Sequence, residues 1–163
     1  MKKTFAILMA LVLALTLSCG AFAETYEIDT SFDGVVFAYE DINMQIKIPV
    51  DWYQLEMTEE QLAAGYFDCF SSEDGTYLML SILDTPVETL IAEVETNDAI
   101  QDPEIITIND IEALTYVDVV NGCYGTFIPF MDGSMSVLAV MGPVESAAAE
   151  LLLTLMATID TIE

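Results

Sequence analysis

Residues 104–141 read EIITINDIEALTYVDVVNGCYGTFIPFMDGSMSVLAVM. Four apolar, β-branched and aromatic runs stand here in quick succession: 104–108, 112–120, 123–130 and 134–141. Between them lie Asn109-Asp110, Asn121-Gly122 and Asp132-Gly133. The last two are residue pairs that tight type I′ hairpins demand, because both central positions take positive φ. Strands joined by hairpins are antiparallel, so this stretch predicts a four-stranded antiparallel meander. Pro129 has no N–H to give to a ladder and predicts a sheet edge or a bulge.

The regions on either side extend the same pattern. Upstream, residues 66–71 (YFDCFS) and 76–83 (TYLMLSIL) flank Ser72-Glu73-Asp74-Gly75, another hairpin signal. Residues 35–40 (VVFAYE) and 44–48 (MQIKI) form a further strand pair, and Pro49 ends the second. Three helices interrupt the strands. Thr58 followed by Gln61 is a capping box. Thr85-Pro86-Val87-Glu88 predicts another box with Pro at the first helical position, and the apolar spacing Val87, Leu90, Ile91, Val94 carries that helix to about Asn97. After Gly142-Pro143 a closing helix is predicted from about Val144 to Thr161, with Ala148, Leu152, Leu155, Ile159 and Ile162 on one face. The expected order is β-β-α-β-β-α-β-β-β-β-α. Leu78, Leu80 and Ile82 alternate with Tyr77, Met79 and Leu83, so that strand is apolar on both faces. The expected fold class is therefore α+β: one antiparallel sheet of about six to eight strands covered by helices, an α/β/α sandwich.

The N-terminus carries an address. Lys2 and Lys3 precede an apolar run from Phe5 to Leu17, and Ala21-Phe22-Ala23 supplies an A-x-A cleavage signal. Residues 1–23 read as a secretory signal peptide. The run falls short of the about 20 residues that a spanning helix needs. Cys19, within Leu17-Ser18-Cys19-Gly20, offers a second processing route, lipidation at a lipoprotein-type site, which would anchor the chain to a membrane. Cleavage after Ala23 leaves residues 24–163, an expected single domain. All 28 acidic residues fall in it, against one base, Lys47, and no histidine. A net charge of −27 repels nucleic-acid phosphates and anionic membrane surfaces, and the lack of Arg removes bidentate recognition of phosphate or carboxylate substrates.

The stretch Ile46-Lys47-Ile48-Pro49-Val50-Asp51-Trp52 resembles the "strand, Pro, x, x, Trp" opening of PsbP-like domains, and the hairpin-rich remainder and closing helix are similar over roughly residues 34–162. The resemblance implies an antiparallel sheet sandwiched by helices. It also implies a binding or assembly role, because members include an extrinsic subunit of the plant oxygen-evolving complex, a Ran-binding nuclear-import factor and many exported bacterial proteins. The family shares no catalytic set. This chain departs in its near absence of basic residues, so no contact made through Lys or Arg carries over.

Candidate chemistry is sparse. Without histidine no Ser-His-Asp or Cys-His arrangement can be built, and two cysteines do not make a zinc site of the usual kind. No carboxylate pair stands out for glycoside hydrolysis. Asp29, Ser31, Asp33, Gly34 and Glu40 match positions one, three, five, six and twelve of an EF-hand calcium loop. Their flanks read as a turn and a strand rather than as two helices. Cys69 and Cys123 remain after cleavage, open to one disulfide or to two buried thiols. The expectation is an exported, non-enzymatic binding or accessory module at a bacterial cell surface, with an unknown protein partner and no cofactor. Two alternatives stay open: a calcium-dependent extracellular module using the Asp29–Glu40 loop, and a small carboxylate-based hydrolase.

Overall fold

In the computed structural model, residues 24–162 are described; the predicted signal peptide and Cys19 lie outside the described residues. Eleven strands and three helices follow in the order β1 (Glu24–Tyr26), β2 (Gly34–Tyr39), β3 (Met44–Pro49), β4 (Tyr53–Gln54), α1 (Glu59–Ala63), β5 (Tyr66–Ser71), β6 (Tyr77–Leu83), α2 (Val87–Glu95), β7 (Ile100–Ile108), β8 (Ile111–Asp118), β9 (Cys123–Phe130), β10 (Met135–Gly142), α3 (Ser146–Met156) and β11 (Asp160–Thr161). A 3-10 turn, Glu40–Ile42, joins β2 to β3. Eight strands make one sheet in the order β1-β7-β8-β9-β10-β6-β5-β4, and β11-β3-β2 make a second. All pairings are antiparallel except β1 with β7. The α+β class with a helix on each face of an antiparallel sheet is what the sequence predicted.

The predicted meander is β7 to β10. Its tightest turn is Asn109-Asp110, where both residues take positive φ (45° and 70°) between the paired Ile108 and Ile111. The two-residue hairpin thus stands at Asn109-Asp110 and not at the two glycine-bearing pairs. Those turns are longer. Asp118 accepts from the backbone N–H groups of Val120 and Asn121 and so holds a four-residue loop, and Met131, Asp132 and Gly133 take positive φ in succession. Pro129 lies in β9 beyond the last residue paired with β8, Phe127, so the proline falls where no ladder bond is asked of it.

Alternation along the strands gives the large sheet two apolar faces. On one, α2 buries Val87, Leu90 and Val94 against Leu114 and Phe127. On the other, Leu152, Leu155 and Met156 of α3 pack with Met44, Ile46 and Ile48 of β3 over Phe70, Leu78, Leu80, Ile128 and Ala139. Each such buried Leu or Ile contributes about 1.5–3 kcal/mol. Trp52 is half-buried against this second core, as its place after Pro49 suggested.

Three further expectations are corrected. The strand pair at 34–49 does not join the main sheet. Its inner face is apolar at every second residue of β3, and it stacks as a separate layer beside α3. The box at Thr85 does not form: Pro86 is the N-cap of α2 and has no side-chain bond to give, while Thr85 O accepts from Ser136 Oγ at 2.6 Å. The box at Thr58 and Gln61 is present. Helix α3 stops at Met156 because Thr158 turns the chain. Its hydroxyl donates to Leu155 O (2.7 Å) and accepts from Lys47 N (3.0 Å), leading Asp160–Thr161 onto the edge of β3.

Candidate functional site

The calcium-loop residues are not brought together. Asp29 accepts from Ser31 N at 2.9 Å in a local turn, and the Ser31 hydroxyl, then that backbone N–H, holds its carboxyl below the usual range. Asp33 precedes β2 and Glu40 follows it. Six extended residues put those two carboxylates roughly 20 Å apart. Lys47 Nζ sits 4.6 Å from the centre of the Phe32 ring and donates to Thr30 O at 3.2 Å, so the loop already holds a cation of its own. No EF-hand geometry exists here, and among the described residues no group of three or more Cys, Asp or Glu is arranged to hold a metal ion.

Cys69 and Cys123 are buried free thiols. They stand on β5 and β9, with β6 and β10 between. Three strand steps of about 4.8 Å separate them by about 14 Å, well beyond the about 7 Å limit for a bridge. Burial, reinforced by Asp118, pushes the Cys123 thiol up to about 11.

The tyrosines are mostly structural. The Tyr116 ring lies over Gly125, directly opposite on β9, where a Cβ would come within 2.1 Å of Cζ. Glycine is required there for the ring to lie flat. Tyr77 covers Gly142 in the same way. Only Tyr26 and Tyr53 are exposed.

Two features missed by the sequence reading stand out. The first is Asp68, 3% exposed on β5. Tyr39 Oη donates to its Oδ2 at 2.6 Å, Gln54 Nε2 lies 2.9 Å from both oxygens, and Cys69 N donates to Oδ1 at 2.8 Å. Tyr39 belongs to the small sheet and Asp68 to the large one, so this buried carboxylate ties the two layers. Burial, then the bond to Asp68, raises the Tyr39 hydroxyl far above its ordinary value. With every oxygen occupied by a donor, the group has no free valence for chemistry on a substrate.

The second is the outer edge of the small sheet. Among the described residues, four strands lie at sheet edges. Three of them, β1, β4 and β11, are only two or three residues long. The fourth, β2, runs six residues, GVVFAY, with no charge and no proline. Its pairing shows which groups face out. Lys47 N bonds to Thr158 on the side away from β2, and Asp33 O accepts from Val50 N on the β2 side. Val36, opposite Lys47, is therefore a non-hydrogen-bonded position, and by alternation Gly34, Val36 and Ala38 turn N–H and C=O toward the open edge. Val36 is 56% exposed. The apolar side chains of 35–40 were legible in the sequence; that they end on an open edge was not.

No protein-family model matches the chain, and no curated protein matches its sequence. Solved structures do. Cyanobacterial PsbP (CyanoP) from Synechocystis superposes with a TM-score of 0.56 at 11% identity, covering 80% of this chain and 93% of that one. A Bacteroides thetaiotaomicron crystal structure superposes with a TM-score of 0.50 at 16% identity, over 81% of this chain and 50% of that one, so this chain spans half of that protein's length. At these identities the likeness shows architecture alone, and the architecture of this chain is a PsbP-like fold.

Proposed function

We propose that this chain is an exported, non-enzymatic accessory module at a bacterial cell surface that recognises a protein partner by strand addition to β2. The observation that carries this reading is the open edge itself. An unpaired strand presents a row of backbone donors and acceptors, and folded proteins blunt such edges with short strands, charges or proline. Here three edges are short and the fourth is long, apolar and unguarded. Strand addition takes affinity from the backbone and specificity from alternate side chains, which at this edge are Val36 and Ala38. A charge of −27 opposes pairing between two copies, so the partner strand is neutral or basic.

Val36→Pro is the direct test. The Val36 N–H faces out, so proline removes no bond to β3 but blocks the edge. Affinity capture from the envelope of the exporting cell should retain one protein on the wild type and lose it on Val36→Pro. On binding, amide exchange should slow at Gly34, Val36 and Ala38 and leave Val35 and Phe37 unchanged. Equal capture by both proteins would reject the edge as the contact.

A further inference from the structure

On the face of the large sheet that carries α3, the helix does not reach the β1 end. Between them lies a cavity of ≈ 200 Å³. Its roof is Ala149, Leu152 and Leu153 of α3, and its floor includes Ile106, Val117 and Thr126. An engineered apolar cavity of about 150 Å³ takes up benzene, so this volume suits one ring with a short arm.

Two observations set this cavity apart from a packing gap. Thr126 is 1% exposed, and its Oγ1 is the sole buried side-chain polar atom among the described residues with no hydrogen-bond partner. A buried hydroxyl left unpaired is destabilising, and valine would fill the same space without that penalty. At the other end of the cavity the β7–β8 ladder is interrupted between Gln101 and Glu104, and Asp102 takes φ 49° in the left-handed region. Bulges re-aim side chains beside binding sites, and strained backbone collects there. Asp102 and Glu104 both line the cavity and both are exposed, so the bulge sets two carboxylates at its mouth.

We infer that this cavity binds a small aromatic amine: the ring between α3 and the sheet, a hydrogen-bonding group on Thr126, and the ammonium at Asp102 and Glu104. Anions are disfavoured by the carboxylates and by the net charge. The ring meets aliphatic walls, and Tyr26 and Tyr124 at the rim can face the cation. The site is separate from the β2 edge, so the two readings stand or fall independently.

Tyramine is the probe, with phenethylamine, which lacks the hydroxyl, and 4-hydroxyphenylpropionate, which reverses the charge, as controls. Calorimetric titration of the mature domain should give saturable tyramine binding with a Kd below about 1 mM, inside the range open to a ligand of this size. Phenethylamine should bind about tenfold more weakly, the scale of one lost hydrogen bond, and the propionate should not bind. Thr126→Val should lose the preference for tyramine over phenethylamine while raising the unfolding midpoint of the free protein by about 3 °C. Glu104→Gln, on the surface, should fold normally and weaken both amines. Absence of saturable amine binding, equal binding of the propionate, or an unchanged preference in Thr126→Val would each overturn the assignment.

Discussion

Asp68 and Thr126 occupy one cross-strand row of the large sheet, Asp68 opposite Leu80, Leu80 opposite Ala139, and Ala139 opposite Thr126. Both side chains are buried and polar. At one end of the row, Tyr39, Gln54 and the Cys69 amide satisfy the carboxylate. At the other end the hydroxyl meets nothing. The same sheet face therefore holds a finished polar site and an unfinished one. The finished site locks two layers together, while the unfinished one borders a cavity. Satisfaction, rather than polarity, separates the two ends of the row.

The sharpest way to break this contrast is Asp68→Ala. It leaves the Tyr39 hydroxyl, the Gln54 amide and the Cys69 N–H without their acceptor, and should lower stability by about 3 kcal/mol in urea unfolding. Thr126→Val, at the other end of the row, should act with the opposite sign, raising stability by about 1 kcal/mol in the same measurement. If both substitutions destabilise alike, the two ends of the row do not differ in the way described.

A pH series sharpens the satisfied end. The Tyr39 hydroxyl titrates near 10 in the unfolded chain and far higher when folded. Its contribution is thus complete below pH 10 and is lost as pH rises through the folded value. Wild-type stability should fall above pH 10, and Tyr39→Phe should fall less steeply from its lower starting point. The smallest effect concerns an acid that is satisfied but exposed. Millimolar calcium should shift the unfolding midpoint by no more than about 1–2 °C, from general charge screening, and equally in Asp29→Ala/Asp33→Ala. A large shift abolished by that double substitution would restore the calcium loop.

Much of this architecture is legible in the sequence because it is written in local periods. The meander 104–141 alternates with period two, the Thr58 box needs only four residues, and the stripe from Ala148 to Leu155 follows a helix period. What escapes is set by distant partners. Strands β1, β4 and β11 are two or three residues long and exist only because a neighbour lends them a ladder. The pair 34–49 reads like any hairpin, and nothing in its own residues says which sheet it joins. Asn109-Asp110 lacks glycine yet makes the tight turn, while the glycine-bearing pairs sit in longer loops. The candidate sites were the least legible. Thr126 looks like an ordinary strand threonine until its neighbours fail to bond it, and the matched calcium spacing failed because a strand stretches positions five and twelve apart.

The single base of residues 24–162 has a further consequence. Trypsin cuts after Lys or Arg, so this whole length offers it one bond, Lys47–Ile48, in the middle of β3 with β2 on one side and β11 on the other. A protease must draw several residues into an extended, unpaired form before it can cut, so cleavage follows the open population of that strand alone. Limited trypsinolysis is therefore a built-in clock for the opening of the small sheet, blind to the rest of the molecule. In an extracellular setting, enzymes of this specificity would find the folded chain nearly indigestible.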